Sequence, residues 1–569
     1  MSARGRIAAL CAALSLAAAA KPSDFFVYYS GNFSHLPAVE GMRRDFPTFA
    51  RLGFTGVVLQ SDMQYAWLYP GAFTNRIAEI AALCRRHDLK IIPAIWSIGY
   101  GAMQQADPNL AEGLPVFDVP YEVAKDGKTA TFVPPPAMEL ENAGFEACET
   151  AADGTFTKPG WGFIQQIGRR SFIDREVFHG GRQSIRFDCD KETDADAHSR
   201  ISRNFTLKPN RRYTVGVWVR GEDCDTEMPF LLQIYSKDGI CLTFNRPRVG
   251  RTFGWTRATA QISTAANTEI TCWMGAWGVR KGRFWVDDFE IVEEGFGDLL
   301  RRPGCPLAVR DAARGTVYEE GRDYAPVPGL GREQAAWPRE NGSLVLKLLP
   351  GGRIRRGAKL LVSGYRRHVM KASSQISTCM SERSLYAHIV KSAEALENLV
   401  HPDGWFLAED EIRAGGTCKA CRDSGLDMAH IFGRCVTAMQ RAIRRYSKTA
   451  PIYMWGDQLD PWANGKKEVA MCPTSFEGAV DLVPKDIVVM HWGNKVPEVF
   501  ALLREKGFGY ARSFCCDGSW TDVPPKGLVE TVKLCRGDDR CQAVMYTTWK
   551  GDYGEEKMRT FLKLFQNEQ

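Results

Sequence analysis

The chain has 569 residues, of which 44% are hydrophobic and 25% are charged, as is usual for globular domains. A net charge of +6, spread evenly along the chain, argues against a nucleic-acid-binding protein. The length allows two to four domains. The 15 tryptophans favour a sugar-handling protein because exposed aromatic faces stack on sugar rings, although most of these side chains are expected to fill cores.

Residues 1–20 are predicted to be a secretory signal peptide. Arg4 and Arg6 form a basic start, and residues 7–20 are apolar and rich in alanine and leucine. This run is too short to span a membrane as a mature helix, and no other run approaches eighteen apolar residues. We therefore expect a secreted or periplasmic protein without a membrane span.

Strands and helices alternate at the start of the mature chain. Apolar runs at 25–29, 54–59 and 89–95 read as buried strands, and residues 75–87 show helical periodicity. This alternation predicts a parallel sheet.

The alternation stops near residue 102, and many short strands follow. Residues 134–136 are three prolines, which indicate a boundary. The spacing of the alternating strands predicts an antiparallel β-sandwich over 126–295, followed by a small β-rich segment over 296–370.

Helices and strands alternate again after residue 380. Helices are predicted at 383–399, 427–446, 497–506 and 555–566, and strands at 404–411, 451–455, 487–492, 508–514 and 543–549. Three strands before the insertion and five after it predict an α/β fold, a (βα)8 TIM barrel. Its two parts are 21–125 and 371–569, with the β-sandwich inserted after the third strand.

In such a barrel the carboxyl ends of all strands face one site. Acids and tryptophans recur at these ends, which suits a carbohydrate: aromatic rings hold sugar faces, carboxylates bind hydroxyls and one acid protonates a glycosidic oxygen. Adjacent acids repel, so their pKa values should split. The candidate site residues are Asp62, Trp96, Asp410, Glu411, Trp455, Asp457, His491, Trp492, Trp549 and Asp552.

The order of these strand ends resembles the catalytic barrel of family-20 glycoside hydrolases, the β-N-acetylhexosaminidases. Asp410-Glu411 matches the Asp-Glu pair after the fourth strand, and Trp455, Trp492 and Trp549 match the tryptophans that follow. The resemblance implies substrate-assisted catalysis on terminal N-acetylhexosamine, without a cofactor. Glu411 would be the general acid and base, and Asp410 would orient the acetamido group.

The chain departs from that family at several positions. Ala408-Glu409 stands where the family has Gly-Gly, and Glu409 has no assigned role. His491 is interpreted either as a substrate ligand or as a structural, hydrogen-bonded histidine. Two alternatives stay open: two-carboxylate hydrolysis of another sugar, with Glu411 as acid and Asp457 or Asp552 as its partner, and a catalytically silent glycan-binding protein.

The predicted sandwich resembles carbohydrate-binding jelly-roll modules at 142–146 and 285–291. That resemblance implies a structural calcium held by Glu146 and Asp288, since calcium prefers oxygen ligands. The expected partner is an oligosaccharide or a polysaccharide.

Of the 17 cysteines, Cys418 and Cys421 form a close pair. Because no further ligands follow at zinc-site spacing, a local disulfide or unrelated buried thiols are favoured over a metal.

Overall fold

The computed structural model describes residues 22–153, 156–190, 197–334, 343–370, 375–466, 471–520, 523–536 and 538–566. The predicted signal peptide lies outside these residues. Within these ranges, no helix is long and apolar enough to cross a membrane. The described chain forms one closed barrel, three larger antiparallel sheets and one two-stranded sheet.

Eight parallel strands close into a barrel in chain order, so the predicted eight-stranded parallel barrel is confirmed. Strand 8 pairs with strand 1, for example Tyr546 with Val27, which closes the sheet. Barrel strands 1 to 8 are Asp24–Ser30, Gly56–Gln60, Lys90–Ile95, Trp405–Leu407, Ile452–Trp455, Ile487–His491, Gly509–Cys515 and Cys541–Thr547.

The helices are less regular than a (βα)8 pattern predicts. Between strands 5 and 6 the described residues hold only the four-residue helix Ala479–Leu482, whereas two helices follow strand 4. The helices are Leu36–Leu52, Ala72–Arg86, Arg383–Val400, Lys419–Asp423, Met428–Tyr446, Ala479–Leu482, Val496–Glu505, Lys526–Arg536 and Glu555–Gln566, and the short 3-10 helices are Asp62–Tyr65, Ile98–Tyr100, Pro108–Leu110 and Arg332–Gln334. The regular (βα)8 prediction is thus confirmed for the strands and not for the helical layer.

Alternate side chains of the barrel strands fill two different cores. Phe26 and Tyr28 of strand 1 point into the barrel, where they share a cluster with Trp455 of strand 5. Val27 and Tyr29 belong to the larger core that includes the surrounding helices. Both faces of each strand are therefore buried, which is why the strands read as nearly continuous apolar runs.

Two five-stranded antiparallel sheets form the inserted sandwich and share one apolar core. In spatial order, the first sheet contains Phe253–Ser263, Arg212–Glu222, Arg283–Glu294, Ser184–Asp188 and Ser171–Asp174. The second contains Cys241–Asn245, Leu231–Ser236, Glu269–Ala276, Ser199–Thr206 and Phe163–Ile164. Glu149–Thr150 and Phe156–Thr157 pair separately.

A six-stranded antiparallel sheet accounts for most of the remaining insertion. In spatial order, it contains Val317–Tyr318, Ala308–Asp311, Lys359–Arg367, Gly113–Val123, Thr129–Phe132 and Val345–Lys347. The sequence assigned residues up to 125 to the barrel, but Gly113–Val123 pairs with Lys359–Arg367 instead. The chain therefore enters the inserted β-structure by residue 113.

The chain leaves and re-enters the barrel at one place. Ala111 and Thr378 form an antiparallel bridge. The backbone N–H of Cys379 donates to the Leu110 carbonyl, and that of Glu112 donates to the Ser377 carbonyl, both at 2.8 Å. The two ends of the insertion are thus joined by backbone hydrogen bonds.

Candidate active site

The three consecutive acids lie in the loop after barrel strand 4. That strand ends at Leu407, not at residue 411 as the sequence predicted. The Ala408 N–H still donates to the Ile95 carbonyl at 3.0 Å, and Glu411 then turns the chain with a left-handed φ of 48°. The regular pleat on which Glu409 and Glu411 would share a face therefore does not form.

Glu409 is fully buried near Cys435 of helix Met428–Tyr446, where burial and then the Glu409 carboxyl raise the pKa of the Cys435 thiol. Neither of its carboxylate oxygens makes a well-formed hydrogen bond with a described residue. Burial and then the Asp410 charge raise its pKa well above the usual value, and the nearby Ile98 N–H offsets only part of this effect. Glu409 thus holds a proton more tightly than an ordinary glutamate does.

Asp410 and Asp457 form a pair of interacting carboxyls at the ends of strands 4 and 5. Burial, followed by the charges of Asp457 and Glu411, raises the pKa of Asp410 well above its usual value. Burial raises the pKa of Asp457 to about 6. The Asp457 Oδ2 accepts hydrogen bonds from the Glu411 backbone at 3.0 Å and from the Asn464 side chain at 2.7 Å. Such a pair titrates as a unit and holds a proton more tightly than isolated aspartates do.

Glu411, the last of the three acids, has a partly accessible side chain. Its side chain is 28% exposed. Its Oε2 accepts hydrogen bonds from the Tyr100 hydroxyl and, at 3.3 Å, from the Gln375 amide. Its Oε1 lies 3.4 Å from the Arg413 guanidinium. Glu411 is thus held in place and still reachable from solvent. Asp410, Glu411 and Asp457 are called the carboxyl cluster below.

An aromatic wall, formed by Tyr28, Trp455 and Trp549, lies beside this cluster. The Tyr28 ring centroid is 5.6 Å from that of Trp455 and 5.6 Å from that of Trp549. Asp410 is close enough to Tyr28 for its charge to raise the pKa of the phenol, after the larger effect of burial. Trp455 is buried, whereas Trp549 is 63% exposed. The wall therefore runs from the barrel interior to the surface.

Two predicted site residues point away from the carboxyl cluster. Trp96 has a left-handed φ of 57°, and its indole donates to the Ser392 hydroxyl at 3.0 Å in the core outside the barrel. His491 is buried on the outer face of strand 6, where its ring centroid is 6.2 Å from that of Phe500 on helix Val496–Glu505. Burial lowers the pKa of His491 to about 3. These contacts support the structural interpretation of His491.

Two predicted acids are held by local partners. Asp62 accepts hydrogen bonds from the Phe33 N–H at 2.7 Å and from the backbone and hydroxyl of Ser34, so it fixes the loop after strand 1. Asp552 forms an ion pair with Lys557. Trp492 is 40% exposed just after strand 6. Of the predicted residues, Asp410, Glu411 and Asp457 thus form the carboxyl cluster, and Trp455 and Trp549 lie beside it.

Several residues around the cluster were not predicted from the sequence. The inward position of Tyr28 could have been predicted, because Tyr28 alternates with Phe26 near the end of strand 1. The others lie in loops or short helices, where no periodicity places a side chain, and they reach the cluster only through the fold. They are Ser97, Tyr100, Gln375, Arg413 and Asn464.

The loop of acids passes very close to Gly99. A Cβ atom at Gly99 would lie 2.1 Å from the Asp410 carbonyl oxygen and 2.9 Å from that of Glu411. We expect Gly99→Ala to displace this loop and to destabilise the protein by about 1–3 kcal/mol, measured by denaturant unfolding. The matched control is Gly527→Ala in helix Lys526–Arg536, where a Cβ meets nothing within 4 Å. Equal stability of the two variants would contradict this prediction.

The predicted calcium ligands lie on either side of the loop 179–183 in the sandwich. Glu146 Oε1 accepts hydrogen bonds from the backbone of Arg182 at 2.8 Å and of Gln183 at 3.4 Å. Asp288 Oδ2 is 2.6 Å from His179 Nδ1. Both carboxylates thus fasten this loop, and the calcium site stays a prediction.

No protein-family model matches the chain, and no curated protein matches it. Among solved structures, TmCBM61 in complex with β-1,4-galactotriose is 19% identical over 27% of this chain and 97% of its own, with a TM-score of 0.21. The CBM22-1 xylan-binding domain of Xyn10C from Paenibacillus barcinonensis is 15% identical over 24% and 85%, with a TM-score of 0.19. A cyclase from Fischerella sp. TAU is 13% identical over 28% and 96%, with a TM-score of 0.23. Nothing about ligand or chemistry follows from likeness at these values.

Proposed function

We propose that the protein is a glycoside hydrolase with the carboxyl cluster as its active site. The observation that carries this proposal is the position of the cluster at the carboxyl ends of barrel strands 4 and 5, beside the aromatic wall. Carboxyl groups in different protonation states supply an acid and a base for glycoside cleavage, and aromatic rings stack on sugars. The predicted signal peptide would make the protein secreted or periplasmic, and the proposed substrate is an oligosaccharide or a polysaccharide.

Glu411 is proposed as the general acid and base because it is both fixed and accessible. It would protonate the leaving oxygen as the bond to the anomeric carbon breaks. It would then remove a proton from the water that completes hydrolysis, which restores its starting state. The Tyr100 hydroxyl and the Arg413 guanidinium would stabilise the carboxylate between the two steps.

The proposed substrate is a terminal N-acetylhexosamine, whose acetamido oxygen would attack the anomeric carbon. Asp410 would accept a hydrogen bond from the acetamido N–H and stabilise the positive charge of the oxazolinium-like intermediate. A developing positive charge lowers the pKa of an adjacent carboxyl, so Asp410 would ionise by passing its proton to the ionised Asp457 of the pair. This substrate-assisted route needs no enzyme nucleophile.

A second candidate is two-carboxylate hydrolysis with Asp457 as the partner of Glu411. It is favoured by the 3.0 Å hydrogen bond from the Glu411 backbone to Asp457, which fixes the second acid beside the first. Asp552 is a weaker partner because Lys557 already pairs with it. In this route Asp457, rather than the acetamido group, would act as nucleophile or base.

A panel of aryl glycosides separates these candidates. The proposal predicts turnover of aryl N-acetylglucosaminide or N-acetylgalactosaminide and competitive inhibition by a thiazoline that mimics the oxazolinium. Turnover of an aryl glycoside without an acetamido group, unaffected by the thiazoline, would favour the two-carboxylate route. Tight glycan binding with no turnover of any aryl glycoside would contradict both routes and support a silent glycan-binding protein.

A further inference from the structure

Three thiols and one carboxylate converge where the insertion joins the barrel. The Cys379 Sγ is 3.5 Å from the Cys418 Sγ and 3.7 Å from the Cys421 Sγ. The Cys421 Sγ is 3.6 Å from the Glu112 Oε2. All four residues are buried, and one ligand atom from each lies within 4.8 Å of the others.

These separations match the edges of a tetrahedral zinc site. With zinc–sulfur bonds of about 2.3 Å, two sulfurs of a tetrahedron lie about 3.8 Å apart. With a zinc–oxygen bond of about 2.1 Å, a sulfur and an oxygen lie about 3.6 Å apart. A disulfide needs a sulfur–sulfur bond of about 2.05 Å. The sulfur atoms are therefore spaced as ligands of one ion rather than as a bonded pair.

The hydrogen bonds of Glu112 leave one oxygen for a metal. Its Oε1 accepts from the backbone N–H groups of Thr417 and Cys418, at 2.8 and 2.9 Å. Its Oε2 faces the sulfur of Cys421. A buried carboxylate beside three thiols is costly without a cation.

The Arg302 guanidinium is the cation already present. It lies within electrostatic range of Glu112, Cys379 and Cys418. However, its nitrogens donate to the carbonyls of Asn109 and Ala111 and to Glu382, so its hydrogen bonds are directed elsewhere. It would offset part of the negative charge of a zinc ion bound to three thiolates and a carboxylate.

We propose that Cys379, Cys418, Cys421 and Glu112 bind a structural zinc ion. Thiolate ligands favour zinc over calcium or magnesium, and four protein ligands leave no open position for catalysis. The ion would join three segments: residue 112 where the insertion begins, residue 379 where the chain returns, and residues 418–421 after the loop of acids. It would thereby fix the end of the loop that carries Glu411.

The sequence favoured a disulfide or unrelated thiols at Cys418 and Cys421 because no further ligands follow at zinc-site spacing. The two missing ligands come from residues 112 and 379, which only the folded chain brings together. The cysteines of the described residues are free thiols in the structure. Linear spacing therefore could not identify this site.

Metal analysis of the full-length protein, purified without chelators, tests the proposal. We expect about one zinc ion per chain by inductively coupled plasma mass spectrometry. Replacement by cobalt(II) should give the visible d–d bands of a tetrahedral site and a thiolate-to-cobalt charge-transfer band. Removal of the metal should lower the melting temperature, and added zinc should restore it, because an ion that binds the folded state stabilises it.

Variants test the ligand set. Cys418→Ala and Cys421→Ala should lose the zinc, whereas Cys272→Ala, a buried cysteine in the sandwich, should keep it. Glu112→Gln should weaken zinc binding while the three-thiolate cobalt band remains. Because an alanine variant can fail to fold, the metal content and cobalt spectrum of the wild-type protein are measured independently. Cys305 is also buried and its side chain contacts that of Cys418, which makes it the alternative fourth ligand. Loss of zinc in Cys305→Ser with retention in Glu112→Gln would overturn Glu112 as the fourth ligand.

Two results with the wild-type protein would overturn the proposal entirely. One is a metal-free protein that takes up no cobalt and has titratable thiols at all three cysteines. The other is a disulfide between two of these cysteines, found by peptide mapping of the unreduced protein. Neither result depends on the proposed hydrolase activity, so the failure of one proposal would not be mistaken for failure of the other.

Discussion

Replacing Glu411 by glutamine is expected to lower kcat/KM on an N-acetylhexosaminide by roughly 10²–10⁴-fold, the usual contribution of a general acid. Glutamine keeps the size of the side chain and an oxygen that can accept the Tyr100 hydrogen bond, so the loop should stay in place. The loss should be smaller for a dinitrophenyl glycoside than for an alkyl glycoside, because a good leaving group needs little proton donation. Steady-state rates on the two substrates measure this difference.

The control is Glu505→Gln at the last residue of helix Val496–Glu505, an exposed acid outside the carboxyl cluster. It removes the same charge and should leave the rates unchanged. Affinity for the thiazoline inhibitor should persist in Glu411→Gln, which would separate lost chemistry from lost binding. A Glu411→Gln protein with nearly wild-type rates on the alkyl glycoside would exclude Glu411 as the acid.

Replacing Asp457 by asparagine is expected to stabilise the protein at neutral pH while it lowers activity. Burial raises the pKa of Asp457 to about 6 from an ordinary value of 3.8. Each pKa unit corresponds to roughly 1.4 kcal/mol, so the ionised group costs the fold up to about 3 kcal/mol. Asparagine carries no charge and can still accept from the Glu411 backbone. We expect a net gain of about 1–2 kcal/mol in the free energy of unfolding at pH 7.5.

The pH dependence distinguishes this cause from a general packing effect. With a folded pKa above its unfolded value, the Asp457 contribution to stability is fully present below about pH 4 and is lost as pH rises through about 6. The gain from Asp457→Asn should therefore shrink as pH falls from 7.5 to 4. Denaturant unfolding at both pH values measures it, with the exposed Asp539→Asn as control. A gain that is the same at both pH values would argue against a raised pKa.

The barrel strands could be predicted because both faces of each strand are buried, which leaves continuous apolar runs. The exact extent of strand 4 could not be predicted, because the apolar run continues into Ala408 while the strand ends at Leu407 and the left-handed φ of Glu411 turns the loop. Trp96 shows a similar limit: alternation with Ala94 would point it inwards, but its left-handed φ turns it outwards. Backbone turns beyond strand ends leave no periodic signal in the sequence.

The site was predictable to the extent that it lies at strand ends. The ends of strands 4 and 5 supply four of its residues, which are Asp410, Glu411, Trp455 and Asp457. Tyr100 belongs to a short helix after strand 3 and contacts Glu411 across more than three hundred residues of sequence, so no spacing rule connects them. Composition and periodicity predict individual helices and strands, whereas a contact such as that of Tyr100 with Glu411 depends on how loops distant in sequence pack together.

The backbone bridge between Ala111 and Thr378 bears on how the barrel tolerates an insertion of this size. The entropy lost on closing an unstructured loop grows with its length, which would penalise a long excursion. Here the intervening chain folds mostly around two further cores, although Leu300 and Tyr365 join the barrel core, and its ends return to hydrogen-bonding distance. For the order in which the barrel strands pair, the long insertion therefore acts like a short loop between strands 3 and 4. The insertion could thus be exchanged or shortened during evolution at this junction without changing the order in which the barrel strands pair.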